Sequence, residues 1–230
     1  MCFTFFKKPN PSLSRVFVLG EVCHNRFSMS QQIVLIHGGE VFDTYEAYLA
    51  DLRVKKISLE RLSQHGWKMG LQERLGEGFE VIAPPMPNKQ NAKYLEWEIW
   101  FEKLFPFLRN GVILIGHSLG GLFLARFLSQ QTFPVKIRAT ILIGAPCHTP
   151  EEHPQADFML PESLDIFSAQ AGEVILMHSI DDPVVSYANA QAYRQCVPSA
   201  RLETFENRGH FTDEEFPELE DIVRDISSKT

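Results

Sequence analysis

Apolar residues along the chain fall into two kinds of pattern. The runs "IVLIH" (33–37), "FEVIA" (79–83), "VILIG" (112–116), "TILIG" (140–144) and "VILMH" (174–178) show no polar alternation. Unbroken apolarity in runs this short predicts strands buried on both faces, as in a parallel sheet. "RLETF" (201–205) is a more polar sixth strand. Helical spacing fills the intervals. Tyr45, Tyr48, Leu49 and Leu52 follow Asp43 as N-cap. Trp97, Trp100, Phe101, Leu104 and Leu108 line one face of a second helix, with Pro106 disturbing its end. Leu122, Leu124, Ala125 and Leu128 mark a third, and Phe216, Leu219, Val223 and Ile226 the last. That last helix opens either with a Thr212/Glu215 capping box or with Pro217 in its first turn.

Strands alternating with helices predict an α/β fold: a mostly parallel sheet of six core strands with helices on both faces. Sites in such folds lie beyond the carboxyl ends of the strands. "VILIGHSLGGLFLARFL" (112–128) puts Ser118 at such a place, between a strand and an amphipathic helix. A serine nucleophile has to project from a sharp strand-to-helix turn, and Gly116 and Gly120 keep Cβ atoms out of the neighbouring elements.

A serine hydroxyl needs a base, and the base an orienting acid. The chain order for this kind of turn is nucleophile, acid, histidine. Asp181 and Asp182 follow the next-to-last strand, and His210 follows the last one, after Gly209. Asp182 is preferred to Asp181 because Pro183 holds the preceding residue extended. The oxyanion would bind the Leu119 amide and one from His37-Gly38-Gly39-Glu40, with Gly39 preferred and Glu40 in reserve. His178 reads as a core histidine, His117 as pointing away from the serine, and His24 and His65 as surface residues.

Composition narrows the partners. The chain has 230 residues, is 44% hydrophobic and carries a formal charge of −7. That suits one core and argues against nucleic acid or an anionic membrane surface as partner. No apolar run nears the ~20 residues of a membrane span. Residues 1–28 carry Lys7, Lys8, Arg15 and Arg26 against Glu21 and read as a tail, with "RVFVLGEV" a candidate edge strand. Residues 29–230 then form the domain, Met29 standing at its start. Cys2, Cys23, Cys147 and Cys196 are scattered and read as reduced thiols of a cytoplasmic protein. "CHTPEEHPQAD" (147–157) gathers cysteine, histidine and acids without recurring ligand spacing, so no metal or other cofactor is expected. The Trp97/Trp100 pair reads as core, and the acidic run 213–221 as a solvated helix face.

"GHSLGG", "DDPVV" and "GHFTDEEFPEL" together resemble the α/β-hydrolases, and within them the small serine hydrolases of the retinoblastoma-binding protein nine and YdeN type. The resemblance implies Ser118, Asp182 and His210 as a triad, with esterase-like or amidase-like activity on a small molecule and a small or absent cap. The "HGG" loop, the tail and extra residues between 40 and 78 depart from that pattern. Between 147 and 172, where caps commonly insert, Phe158, Met159, Leu160, Leu164, Ile166 and Phe167 are expected to wall the cleft. Two other readings compete: an interaction module on a hydrolase fold, and an aminopeptidase anchoring its substrate's ammonium on Glu40. The oligomeric state is left open.

Overall fold

Six strands form where the apolar runs stand, differing from them only at the ends. They are β1 (Gln31–Ile36), β2 (Phe79–Ile82), β3 (Val112–His117), β4 (Ile137–Ile143), β5 (Glu173–Ser179) and β6 (Arg201–Phe205). This computed structural model describes residues 30–59, 66–147 and 156–229. The basic N-terminal stretch with "RVFVLGEV", His24 and Met29, together with His65 and residues 148–155 of the cysteine- and histidine-bearing segment, lies outside the described residues.

All neighbouring strands pair in parallel, in the order β2-β1-β3-β4-β5-β6. Parallel pairing requires a crossover between strands, and the helices provide it. Successive side chains point to opposite faces of the sheet, so an unbroken apolar run feeds two cores at once. Ile33, Leu35, Ile113 and Ile115 enter one; Val34, Ile36, Val112 and Leu114 enter the other. Each such fully buried side chain contributes about 1.5–3 kcal/mol.

The helices, in chain order, are α1 (Tyr45–Val54), α2 (Trp67–Leu75), α3 (Tyr94–Glu102), α4 (Leu119–Gln130), α5 (Asp165–Gln170), α6 (Ala188–Cys196) and α7 (Pro217–Ser228). Apolar residues of α2 and α7 pack in the Ile33 core; those of α3 to α6 pack in the Val34 core. The chain winds from β1 to β2 on one side, then returns past β1 to lay down β3 and the rest. The direction of winding thus reverses between β1 and β3, where loops leaving the two strands diverge and open a crevice.

Several local expectations need correcting. Thr44, not Asp43, caps α1, its hydroxyl accepting from the Ala47 amide at 3.1 Å. None of α1 is buried. The second helix ends at Glu102, so Leu104 and Leu108 lie beyond it, the latter after the 3-10 turn Phe105–Phe107 that Pro106 favours. Trp97 is buried, but Trp100 is 41% exposed. Pro217 opens α7 without a capping box. The acidic run is not simply solvated, because Glu220 is buried and binds Arg74 at 2.6 Å. The helices α2, α5 and α6 escaped prediction, although Trp67, Leu71 and Leu75, four residues apart, anchor α2.

Candidate active site

The β3–α4 junction is held open by close backbone contacts. Ser118 takes φ 55° and ψ −125°, a region that costs a non-glycine residue ~1–3 kcal/mol and persists only when its surroundings enforce it. The Ser118 amide donates to the Ile143 carbonyl at 2.8 Å, and the Ser118 carbonyl accepts from the Gly121 amide at 2.9 Å. A Cβ on Gly116 would fall 2.5 Å from the Gly121 Cα; one on Gly120 would fall 2.3 Å from the Ile36 carbonyl oxygen. Both glycines are therefore demanded by approach distance.

Ser118 and His210 line one open cavity of about 500 Å³, together with Gly38, Gly39, Glu40, Lys89 and Val184. His210 Nδ1 lies 2.8 Å from Asp182 Oδ2, donating to it in the neutral tautomer that leaves Nε2 as acceptor. The other Asp182 oxygen accepts the amides of Val184 and Val185 at 2.8 and 3.0 Å. Burial of this carboxyl opposes its ionisation, but the bonds from His210 and the two amides outweigh it and hold its pKa below the usual value. Asp181 does not reach the ring. Its carboxylate accepts the Gly209 amide at 3.0 Å and the Ser179 hydroxyl at 2.5 Å, tying down the loop that carries His210.

That loop is fastened from several directions. His117 Nε2 donates to the His210 carbonyl at 2.9 Å, Trp67 Nε1 donates to the Phe211 carbonyl at 2.9 Å, and the Ser179 hydroxyl accepts the Arg208 amide at 3.0 Å. Arg208 also pairs with Asp213 at 3.0 Å and with Glu218. Burial, reinforced by the charges of Lys68 and His210, keeps the His117 pKa well below the ordinary histidine value, so it serves as a neutral donor. His117 thus turns from the serine toward the histidine loop. His178 is buried as expected, bonding to the Val185 carbonyl at 2.8 Å and standing 3.7 Å from Asp182 Oδ2.

Across the cavity, the loop after β1 is fixed through His37. Its Nε2 accepts the Met86 amide at 2.8 Å and its Nδ1 donates to the Gly38 carbonyl at 2.6 Å. The Glu40 amide donates to the Lys89 carbonyl at 2.8 Å and is not available to an oxyanion. The Gly39 amide has no backbone acceptor among the described residues, and the Leu119 amide opens α4, where no intrahelical acceptor exists.

The expected apolar wall is absent among the described residues of 147–172. Phe158, Leu164 and Phe167 pack in the core beneath, Met159 and Ile166 face outward, and none lines the Ser118 cavity. The missed contributors were Trp67, Ser179 and Gly144. A Cβ on Gly144 would lie 3.3 Å from both Asp182 Oδ2 and the His210 ring, so its small size leaves room for the pair. The glycine closing "TILIG" was the only available signal for it.

Comparison with known proteins places this geometry. A family model described as serine hydrolase matches residues 59–227. Serine hydrolase RBBP9 of Rattus norvegicus is 27% identical over 176 residues, spanning 72% of this chain and 88% of its own. The crystal structure of the ydeN gene product from B. subtilis superposes with a TM-score of 0.67 at 21% identity, over 87% of this chain and 100% of the other. A structure from work on carboxylesterases of the thaumarchaeon Nitrososphaera gargenis gives 0.58 at 16% identity, over 87% and 92%. With the family match running through β3, β5 and the His210 loop, the chain belongs to the serine hydrolase family and has the α/β-hydrolase fold.

Proposed function

We propose that the protein hydrolyses a small carboxylic ester, or a related thioester or amide, through an acyl-enzyme on Ser118. The observation that carries this reading is the shared cavity. Ser118 projects into it from a positive-φ turn, and the His210 that faces it is bonded through its far nitrogen to the buried Asp182.

His210 Nε2 takes the proton of Ser118 as Oγ bonds to the substrate carbonyl carbon. The carbonyl oxygen becomes an oxyanion held by the amides of Leu119 and Gly39, at the positive end of α4. The bond to the leaving oxygen then breaks as His210 returns the proton to it. Water enters, gives a proton to His210 and attacks the acyl carbon; His210 then returns that proton to Ser118 Oγ as the bond to the acyl carbon breaks and the acid leaves. Asp182 holds the tautomer of His210 and stabilises the imidazolium without becoming protonated.

The carboxylesterase structure among the neighbours supports an ester as substrate. The aminopeptidase reading loses its anchor, because Glu40 is engaged by the Lys55 ammonium. No helix among the described residues is long and apolar enough to cross a membrane. The wide scatter of the four cysteines along the sequence, with no paired spacing, supports a cytoplasmic assignment.

Pre-steady-state hydrolysis of p-nitrophenyl esters tests the reading. A burst of one p-nitrophenol per protein, absent in Ser118→Ala, is expected where deacylation limits turnover. Turnover by Ser118→Ala close to that of the wild type would overturn it.

A further inference from the structure

Charge around the Ser118 cavity runs against that of the chain. The protein carries a formal −7, yet among the described residues Lys55 and Lys89 line this cavity against one acid, Glu40. Lys68 lines an adjoining cavity of about 390 Å³ that shares the β1 loop through His37. These cations are not equivalent. Lys55 is neutralised by Glu40 and also reaches Asp51 at 3.5 Å.

Lys89 has no carboxylate partner among the described residues. Its main chain is fixed, since its carbonyl accepts the Glu40 amide and the Glu40 carbonyl accepts the Ala92 amide, both at 2.8 Å. The side chain therefore starts beside Gly39, at the edge of the cavity that holds Ser118. The Lys68 ammonium has the Trp67 ring as its neighbour, 4.6 Å from the centroid, and likewise no acidic partner among the described residues.

The two lysines act on each other and on the site. Burial, with the charge of Lys89 added, lowers the Lys68 pKa to about 8. After burial, charges of both lysines also depress His37, and that of Lys68 depresses His117. A concave site walled by one uncompensated sign of charge concentrates ligands of the other sign. A substrate ammonium would add to this repulsion, whereas an anion relieves it. Glu40 offers no counterweight while Lys55 holds it.

We propose that the substrate carries an anionic group of the carboxylate class, which Lys89 binds, with Lys68 behind it, beside the carbonyl that Ser118 attacks. This rests on Ser118 being the nucleophile and adds the substrate class. The group stands on either the acyl or the leaving part of the substrate, and paired esters tell which.

The test compares p-nitrophenyl hydrogen adipate with p-nitrophenyl hexanoate, and 4-acetoxybenzoate with its methyl ester, using the full chain at low salt. In at least one pair, kcat/KM is expected to favour the anionic ester by about tenfold after correction for spontaneous hydrolysis. The preference should fall to near one in Lys89→Met and invert in Lys89→Glu. Lys89 is exposed, so these variants are expected to fold. Ratios near one for both pairs, or a preference that survives Lys89→Glu, would overturn the proposal.

Titrating each anionic ester and its neutral partner into Ser118→Ala, with and without Lys89→Glu, separates this proposal from the Ser118 reading. Tighter binding of an anionic ester that Lys89→Glu abolishes upholds the lysine site even if the wild type cleaves nothing, an outcome that counts against Ser118 alone. Equal binding of anionic and neutral partners overturns the lysine site and leaves the nucleophile assignment untouched.

Discussion

Ser118 and His210 face one cavity, but they are held there by different means. On the serine side the backbone does most of the work: a turn between β3 and α4, closed by contacts at Gly116 and Gly120 that admit no Cβ. On the histidine side, side chains from distant parts of the chain hold a loop. Asp181 and Ser179 come from around the end of β5, His117 from the end of β3, and Trp67 from the start of α2. A corner of the first kind is local in sequence and tolerates almost no change of shape. A loop of the second kind spreads its constraint over several partners, so losing one loosens the histidine without unmaking the fold.

The largest effect expected lies where the two regions meet. Asp182→Asn should lower kcat on the order of 10⁴-fold, because an amide favours the wrong imidazole tautomer. Asp181→Asn keeps an oxygen able to accept the Gly209 amide and should lower kcat less than about tenfold. Steady-state kinetics on both variants checks the assignment, and reversed effects would exchange the two acids.

Gly120→Ala set beside Trp67→Phe separates the two kinds of support. The first drives a methyl group toward the Ile36 carbonyl and should cost about 3 kcal/mol in urea unfolding, with activity lost alongside. The second keeps the ring against Phe216 but strips the donor from the Phe211 carbonyl. It should cost about 1–3 kcal/mol, with kcat falling and Ser118 still in place. A Trp67→Phe protein as damaged as Gly120→Ala would show that the histidine loop is as unforgiving as the serine turn.

Acid should weaken the fold through two neutral histidines, the buried His117 and the half-buried His37. His117 and His37 both have pKa values below 6.5, chiefly from burial. Below about that pH the unfolded chain binds protons that the folded chain refuses, so stability falls as pH falls. The slope is at most about 1.4 kcal/mol per pH unit for each histidine. Unfolding free energies between pH 7.5 and 5 should show it, and His117→Gln should remove its share.

The smallest effect is expected from starting the chain at Met29. Gln31–Thr230 forms a compact unit containing Ser118, Asp182 and His210. Esterase activity and melting temperature should stay close to those of the full chain, and a large drop in either would extend the domain into residues 1–28.

What the sequence made legible follows the same division. Unbroken apolar runs flagged β1 to β5, because a strand covered on both faces leaves little room for alternation, whereas β6 was read from the more polar "RLETF". Ser118, Gly116 and Gly120 could be read together because a strained turn writes its demands on adjacent residues. Asp182 and His210 were located by chain order after strands, although their contact spans 28 positions. Trp67 escaped notice because its partner, Phe211, is 144 positions away and neither residue carries a local signature. The 147–172 segment misled for a related reason. Apolar residues there signal burial but not against what, and Phe158 and Phe167 chose the α3–α4 core over the cavity.

The most direct measurement is covalent labelling with a fluorophosphonate, followed by mass spectrometry of the modified peptide. The account predicts one adduct, on Ser118, formed in the wild type and absent in a folded Ser118→Ala protein. It also predicts labelling slowed by orders of magnitude in Asp182→Asn. Labelling at another residue, or an unlabelled wild type that is folded, would contradict the claim that Ser118 is an activated nucleophile.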